Sequence, residues 1–457
     1  MVTKMKTEGK HEWKVAIAGE CMTSRLFSAN KEPDFLKLKE IMDTADVCYA
    51  HLEMSFGDFT NSAFPARGEK KGSYLLTDPA VAKDLRWLGI NVMSLCHNHS
   101  YDFGAPVILE TIRHCKEADI TCAGTGIDLE EAREPGYREV EAGRVALIAT
   151  TSGNPSSDWA NLSKGSMLTR PGVNPQRLKM RYLLPEADAE NLRKVVRSLN
   201  IIQENKETGD FSYYMPSIQS SRSSCVFSQS DDFGIDSVCH TNDLEGNLRS
   251  IQEAKIMSDF VMVAQHYNVS EGGRNETPPV FVREFAHAAI DAGADMYLGH
   301  GWHKVLGLEI YKGKPIFYGL GNFFAQSQFI RRVPFDSYEA YGHDISRLSH
   351  LRPSDEPLHA APTLSAAQSF WWTSSLIEAE YKTDGQIKAI NFYPVELGAD
   401  ITVTPYRITR NVGKFIEGRP LLATGENAQR ILEWLQKVSL PFGTEVKIDG
   451  DIGHWES

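Results

Sequence analysis

The sequence lacks the apolar segments that carry a chain into or across a membrane. Its first twelve residues, MVTKMKTEGKHE, contain no apolar core of a signal peptide. No run of about 18 apolar residues, the length that spans a bilayer, occurs along the chain. We therefore expect no membrane span and a cytoplasmic location.

Cysteine is scarce, and its spacing does not suggest a disulfide framework. The seven cysteines are scattered through 457 residues and form no Cys-x-x-Cys pair. An odd number without a pairing pattern is typical of reduced thiols in the cytosol. A disulfide between Cys115 and Cys122 is the one bridge that the spacing leaves open.

Positive charge is also in deficit. The chain has 48 lysines and arginines against 60 acidic residues, a formal net charge of −12. This balance argues against broad non-specific binding to nucleic acid or to an anionic membrane. An anionic small substrate stays open, because a local pocket can be cationic in an acidic protein. A homo-oligomer is also left open.

What the sequence does contain is an alternation of short apolar runs and amphipathic segments. Apolar runs that end at glycine, an acid or a histidine predict buried strands, and segments with a helical period lie between them. The alternation predicts a layered α/β fold. Two regions interrupt it: 154–255 is less regular, and 325–370 is long and rich in His, Arg, Ser and Pro. The main predicted strands are 13–20, 45–58, 144–153, 258–268 and 370–382, with three short strands in 296–324, and the main predicted helices are 102–120, 185–202, 241–255, 278–295 and 425–440.

Potential metal ligands stand where these predicted strands end. In the stretch MSLCHNHSYDFG, residues 93–104, an apolar run leads into two histidines, an asparagine and an aspartate. Sites in α/β sheets gather where strand ends face loops. Histidine with carboxylate suits manganese, iron or zinc better than magnesium or calcium. Two such ions bridged by a carboxylate would polarise an ester or amide and activate water. The candidate ligands are Glu20, Glu53, Asn98, His266, His300 and His303.

The order of these motifs resembles that of the calcineurin-like metallophosphoesterases, and most closely their CapA branch, which is linked to poly-γ-glutamate capsule synthesis. The resemblance covers roughly 14–328, and the ending WLQKVSLPFGTEV is similar to the family's C-terminal part. Each motif alone is weak, but six in the same order are specific. The motifs are Gly19-Glu20, His51-Leu52-Glu53, His97-Asn98-His99-Ser100-Tyr101-Asp102-Phe103-Gly104, His266, Gly299-His300-Gly301-Trp302-His303 and Leu320-Gly321-Asn322-Phe323.

The resemblance implies a fold and a mechanism. The fold would be two central mixed β-sheets flanked by helices (α/β/β/α), with a catalytic domain at 14–328 that includes the 154–255 excursion. Residues 329–457 would form a site-covering loop and a C-terminal extension packed on the same domain. The six candidate ligands would hold two divalent ions, with Glu53 as the bridge. His99 would act as general acid or contact the substrate's oxygens. Asp102 would orient its ring, and it could also cap the following helix.

Three departures from the family pattern leave details open. Glu20 stands where the family has aspartate, His51 and His97 stand where it has asparagine, and Gly301 breaks a double histidine. These changes could alter the metal, the number of ions or the substrate. His51 and His97 could be ligands, supports of a ligand, or neither.

The substrate is the least determined part. Asn322 is expected beside the metals, and Arg331 and Arg332 follow in the long segment. A planar guanidinium binds carboxylate or phosphate well, so these arginines could select an anionic or polyglutamate-like substrate, or simply be solvated. The predicted function is metal-dependent hydrolysis of an ester or amide. The alternatives are a γ-glutamyl amide or polyglutamate hydrolase or transferase on the same site, and a non-catalytic polymer-binding capsule-associated protein. A pure binding protein has little use for so many costly buried polar groups.

Overall fold

The architecture was analysed in a computed structural model. It describes residues 12–58, 64–66, 74–213, 226–272, 276–327, 334, 369–398, 401–404, 407–410 and 418–457. Within these ranges the α-helices are α1 (Pro33–Asp43), α2 (Ala80–Trp87), α3 (Gly104–Glu117), α4 (Leu129–Arg133), α5 (Glu186–Ser198), α6 (Thr241–Met257), α7 (Val280–Ala292) and α8 (Gly425–Ser439). Two 3₁₀ turns are Ser369–Trp372 and Leu440–Phe442.

Strands occur along the whole described chain. Those before residue 152 are β1 (Trp13–Met22), β2 (Val47–Leu52), β3 (Ser55–Phe56), β4 (Leu76–Thr77), β5 (Val92–Ser94), β6 (Thr121–Ala123), β7 (Thr125–Gly126), β8 (Gly136–Val140) and β9 (Gly143–Thr151). The next are β10 (Gly172–Val173), β11 (Leu178–Leu184), β12 (Ile202–Glu204), β13 (Phe211–Tyr213), β14 (Val226–Gln229), β15 (Gly234–Cys239), β16 (Phe260–His266), β17 (Met296–His300), β18 (Leu308–Tyr311), β19 (Lys314–Phe317) and β20 (Asn322–Ala325). The last are β21 (Thr373–Tyr381), β22 (Ile387–Glu396), β23 (Ile401–Thr404), β24 (Arg407–Arg410), β25 (Leu421–Leu422), β26 (Lys447–Asp449) and β27 (Ile452–Glu456).

Two mixed sheets form the centre of the molecule. The first has the order β26-β27-β22-β21-β1-β2-β5-β6, and β20 and β25 pair with β1 and β22. Its strands β1, β2, β5, β6 and β20 are parallel, whereas β21, β22 and β27 pair in antiparallel fashion. The second has the order β18-β19-β17-β16-β9-β8, with a parallel centre of β19, β17, β16 and β9. The prediction of a mixed α/β fold is confirmed.

Burial on both faces explains why the central strands read as continuous apolar runs. Successive side chains of a strand point to opposite faces. Ile17 of β1 therefore packs between the sheets with residues such as Leu147 and Leu298, while its neighbour Ala16 packs toward the helix layer of α1, α2 and α3. In β9, Ile148 faces the other way, toward α6 and α7. The layers are helix, sheet, sheet, helix.

Two regions differ from the sequence-based expectation. The 154–255 excursion is more regular than predicted, because β12, β13, β14, β11 and β15 form a five-stranded sheet in that order. Residues 296–324 hold four short strands, β17 to β20, instead of three. The C-terminal strands β21, β22 and β27 belong to the first sheet, so this part of the chain shares its core.

Two further expectations concern membranes and thiols. Within the described ranges, none of the helices has the length and apolar character needed to cross a bilayer. The six described cysteines are free, and Cys115 and Cys122 are not bridged.

Candidate metal centre

The candidate site lies where the parallel strands of both sheets end. Glu20 near the end of β1 pairs in register with His51 of β2 and with Asn322 of β20. His266 and His300 are the last residues of β16 and β17, and they pair with each other. Because these strands are parallel, residues that are far apart in sequence meet at one edge.

Three of the predicted ligands form a compact cluster. The ligand atoms of Glu20, Glu53 and His303 all lie within 4.8 Å of one another. His303 Nδ1 is 2.5 Å from Glu20 Oε2, 3.5 Å from Glu53 Oε2 and 2.8 Å from Asn322 Oδ1. One ring nitrogen thus faces three oxygens from three other segments. Both carboxylates are buried, and a divalent cation would offset the cost of bringing them together.

The backbone at Gly301 holds Glu20 in place. The Gly301 amide donates a 2.7 Å hydrogen bond to Glu20 Oε1. Gly301 has φ of +108°, and a Cβ at this position would lie 2.2 Å from the carbonyl oxygen of Tyr267. No side chain fits there. Gly301, which breaks the double histidine of the resembling family, therefore stands where two backbone segments approach closely.

The Glu20 carboxyl is ionised despite its burial. Burial acts to raise the pKa of Glu20, but the charge of His303 and its hydrogen bond outweigh it and hold that pKa well below the usual range. An ionised buried carboxylate is the form that binds a cation.

Two further candidate ligand atoms come from His266 and Asn98. His266 Nε2 lies 4.0 Å from Glu53 Oε1. Among the described residues, neither this nitrogen nor the buried Asn98 Oδ1 has a hydrogen-bond partner. Buried polar atoms are rarely left unsatisfied unless an ion or water completes them. With the compact cluster, these atoms form a donor set of imidazole, carboxylate and amide oxygen that fits a borderline divalent metal.

The rings of His300, His51 and His266 form a buried stack beside this cluster. The ring of His51 stacks on that of His300 at 4.4 Å and on that of His266 at 4.9 Å. His300 Nε2 is hydrogen-bonded to the Tyr49 hydroxyl at 2.8 Å, so only Nδ1 is left to bind a metal. Burial lowers the pKa of His51 and of His266 well below its usual value, and that of His300 to about 3. The three rings are therefore neutral.

His97 borders the same group of rings. Its centroid is 5.5 Å from His51 and 6.1 Å from His266, in edge-to-face arrangements. The Ser100 hydroxyl accepts from the His97 amide, and Asn154 Nδ2 donates to the His97 carbonyl. These contacts place His97 beside the predicted ligands and shape the turn that carries Asn98.

His99 and Asp102 form a separate pair. His99 Nδ1 is 2.7 Å from Asp102 Oδ2, which also accepts from the Leu75 amide at 3.0 Å. The N-cap position of α3 is Phe103, the residue after Asp102. Asp102 is fully buried, while the His99 side chain is 13% exposed. This geometry leaves His99 Nε2 as the ring's outer nitrogen.

Three further residues of the candidate site were not predicted from the sequence. Tyr49 and Ser94 hydrogen-bond to the buried histidines, and Trp371 packs its ring 4.3 Å from that of His303. Tyr49 could have been found, because it lies two positions before His51 on β2 and so faces the same side. Trp371 had no local signal. Asn322, expected beside the metals, lies there and donates to the Trp371 carbonyl. Arg331 and Arg332 lie outside the described residues.

The chain is similar to several known proteins. The family described as bacterial capsule synthesis protein PGA_cap matches residues 14–327. An uncharacterized protein of Sinorhizobium fredii, y4sH, is 30% identical over 443 residues, which cover 95% of this chain and 91% of the relative. A probable polyglutamine synthesis accessory protein of Mycobacterium tuberculosis is 27% identical over 67% of this chain and 60% of its own length. The PGA biosynthesis protein CapA of Bacillus subtilis is 22% identical over 61% of this chain and 57% of its own length.

Proposed function

The chain belongs to the bacterial capsule synthesis protein family PGA_cap, and we propose that within this family it is a metal-dependent hydrolase. The reaction would be water attack on an ester or amide bond of an anionic substrate. The observation that carries the proposal is the convergence of Glu20, Glu53 and His303 within 4.8 Å of one another. Such a set is costly to bury without a cation.

Two divalent ions, manganese, iron or zinc, are proposed for the centre. Glu20, Glu53 and His303 would hold one, and Glu53, His266 and Asn98 would contribute to the second. The position of Glu53 supports a bridging role, because its two oxygens approach His303 and His266, respectively. When bound, the ions would supply Lewis-acid polarisation of the scissile group and lower the pKa of a water molecule.

We propose that His99 donates the proton to the leaving group. A leaving group needs a proton as its bond breaks, and an imidazole oriented by a carboxylate is suited to provide it. Asp102 accepts from His99 Nδ1 and so holds the proton-donating Nε2 in one direction. His99 lies outside the compact ligand cluster, which separates proton transfer from metal binding.

The substrate class comes from the relatives. Their names concern polyglutamine synthesis and PGA biosynthesis, and we propose a polyglutamate-related, anionic substrate for this chain. A γ-glutamyl amide and a phosphoester are both compatible with the donor set, because polarisation and water activation serve either centre. We further propose a calcineurin-like arrangement for the 14–328 domain, supported by its helix–sheet–sheet–helix layers.

A test starts with metal analysis of the full chain, purified without chelator. We expect manganese, iron or zinc above one ion per chain. An activity screen then compares p-nitrophenyl phosphate, bis-p-nitrophenyl phosphate and γ-glutamyl-p-nitroanilide, with Glu20→Gln as the inactive variant. Glu378→Gln is the matched control, because Glu378 is also buried but pairs with Lys14 outside the cluster. Metal-free protein that binds poly-γ-glutamate without turnover would instead support a non-catalytic polymer-binding protein.

A further inference from the structure

His303 stands in a segment whose backbone is held in an unusual conformation. It lies between β17 and β18, within residues 301–307, which form neither a helix nor a regular strand. Its φ is +54°, in the left-handed region. A residue other than glycine stays in this region only where surrounding contacts fix it there. Those contacts therefore decide whether His303 reaches the cluster with Glu20 and Glu53.

The C-terminal helix α8 supplies one group of these contacts. Trp434 Nε1 donates a 2.8 Å hydrogen bond to the carbonyl oxygen of Val305, two residues after His303. At Gly307 the helix comes so close that a Cβ would lie 2.2 Å from the carbonyl oxygen of Val438. The end of α8 thus contacts the backbone of residues 301–307 directly.

Aromatic rings hold the side chains of the same segment. The Lys304 ammonium lies 4.4 Å from the centroid of the Trp434 ring and 5.3 Å from that of Phe370. A cation within about 6 Å of an aromatic face is attracted to it. Trp371 packs its ring 4.3 Å from that of His303. All three aromatic residues lie beyond residue 327, where the family match ends.

Trp371 also reaches the cluster through its main chain. Asn322 Nδ2 donates to the Trp371 carbonyl at 3.0 Å, and Asn322 Oδ1 is 2.8 Å from His303 Nδ1. The Trp371 side chain is itself packed in the core between the first sheet and its helices. Trp371 therefore limits the His303 ring directly and also fixes the amide that faces this ring.

We propose that Trp371 and Trp434 are positioning residues that complete the metal centre from the C-terminal part of the chain, by holding His303 in its left-handed conformation. Without their contacts, residues 301–307 would relax toward a more common backbone conformation. His303 Nδ1 would then move away from the two carboxylates. The inference rests on the proposed function, because it treats His303 as a ligand.

The first test measures hydrogen exchange in the metal-free, full-length protein. The Gly301 amide donates to Glu20 Oε1, and the Leu306 amide donates to the Gly319 carbonyl. Trp434→Phe keeps an aromatic ring but removes the N–H. We expect peptides that cover 301–307 to exchange faster in this variant than in the wild type, as read by mass spectrometry. Unchanged exchange would overturn the inference. This readout needs neither metal nor substrate.

The second test is calorimetric addition of Zn²⁺, with His303→Gln marking the site that this ligand serves. In Trp434→Phe the Kd of that site should rise about tenfold. This factor corresponds to about 1.4 kcal/mol, the scale of one lost hydrogen bond. Trp371→Phe should shift the Kd in the same direction, and it replaces Trp434→Phe if that variant does not fold. Wild-type affinity in both variants would refute the positioning role.

Bound Co²⁺ separates positioning from a general loss of stability. Its visible absorption depends on the number and type of its ligands, so the spectrum of Trp434→Phe should shift toward that of His303→Gln. A variant that is only less stable would keep the wild-type spectrum, and this result would overturn the proposal.

Trp455→Phe is the matched control. Trp455 on β27 is partly buried and packs against the same core as Trp434. This variant should keep the wild-type exchange, zinc affinity and cobalt spectrum. Zinc binding by the wild type with unchanged affinity in both Trp371→Phe and Trp434→Phe would overturn this inference alone, whereas absence of zinc from every protein would overturn the proposed function.

Discussion

Replacing His99 with asparagine separates proton transfer from metal binding. The imidazole donates to a carboxylate that is fully buried, at 2.7 Å. Asparagine is too short to reach both Asp102 and a leaving group, so the proposed general acid is lost. The rate should fall by about 10²–10⁴, the usual contribution of a positioned acid or base. This corresponds to about 2.7–5.5 kcal/mol of barrier.

The free energy of unfolding should change less than the activation barrier of the reaction does. Asp102 loses one donor but keeps the Leu75 amide at 3.0 Å. Loss of a partner to a buried acceptor costs about 1–3 kcal/mol. Metal content should stay at the wild-type value, because His99 is not part of the Glu20–Glu53–His303 cluster.

The assay compares leaving groups under saturating metal. For the best substrate found in the screen, a poor leaving group such as an alkyl alcohol should show the full loss, and p-nitrophenolate a much smaller one, since it needs little protonation. His114→Asn is the control, because that side chain is 16% exposed, close to the 13% of His99, and pairs with Glu117 on α3. Equal losses for both leaving groups, or loss of metal along with activity, would refute the assignment of His99 as the acid.

Three other predictions follow from the same site. Glu53→Gln should lower both the bound metal and the rate, measured by elemental analysis and kinetics against Glu378→Gln; full metal with normal turnover would exclude a bridging role. Gly301→Ala should destabilise the protein by about 1–3 kcal/mol in urea unfolding, because its Cβ would meet the Tyr267 carbonyl at 2.2 Å; an unchanged midpoint would show that this backbone contact relaxes freely. His300 has a folded pKa of about 3, below the unfolded value, so its contribution to stability is complete above pH 6.5 and is lost as the pH falls toward 3. Metal-free protein should therefore lose about 2 kcal/mol of stability from His300 between pH 6.5 and pH 5, and a flat urea midpoint over that range would contradict the buried neutral ring.

Local pattern was sufficient for the central strands and for the polar residues at their ends. The runs before Glu20, Glu53, His266 and His300 are apolar on both faces, and a strand buried on both faces needs that composition. Because parallel strands end at a common edge, polar residues at those ends can be assigned to one site before any contact is known. The mixed α/β class followed from the same alternation.

Other features depend on contacts between distant segments. The five-stranded sheet in 154–255 pairs β11 with β14 and β15, and its short, polar strands carry little local signal. The sequence left both an orienting role and a cap role open for Asp102, and only the structure shows its 2.7 Å contact with His99.

Strand period and apolar runs are local properties of the chain, so the sequence indicates which chemical groups stand at the strand ends of the candidate site. Which atoms of those groups face one another depends on tertiary contacts. The packing of the two sheets against each other brings His51 and His266 to 3.0 Å although 215 positions separate them. The close approach at Gly301 directs an amide onto Glu20. Burial lowers the pKa of the histidine rings, and the Tyr49 hydroxyl lies 2.8 Å from His300 Nε2. These are long-range effects of packing and desolvation, which no local pattern encodes.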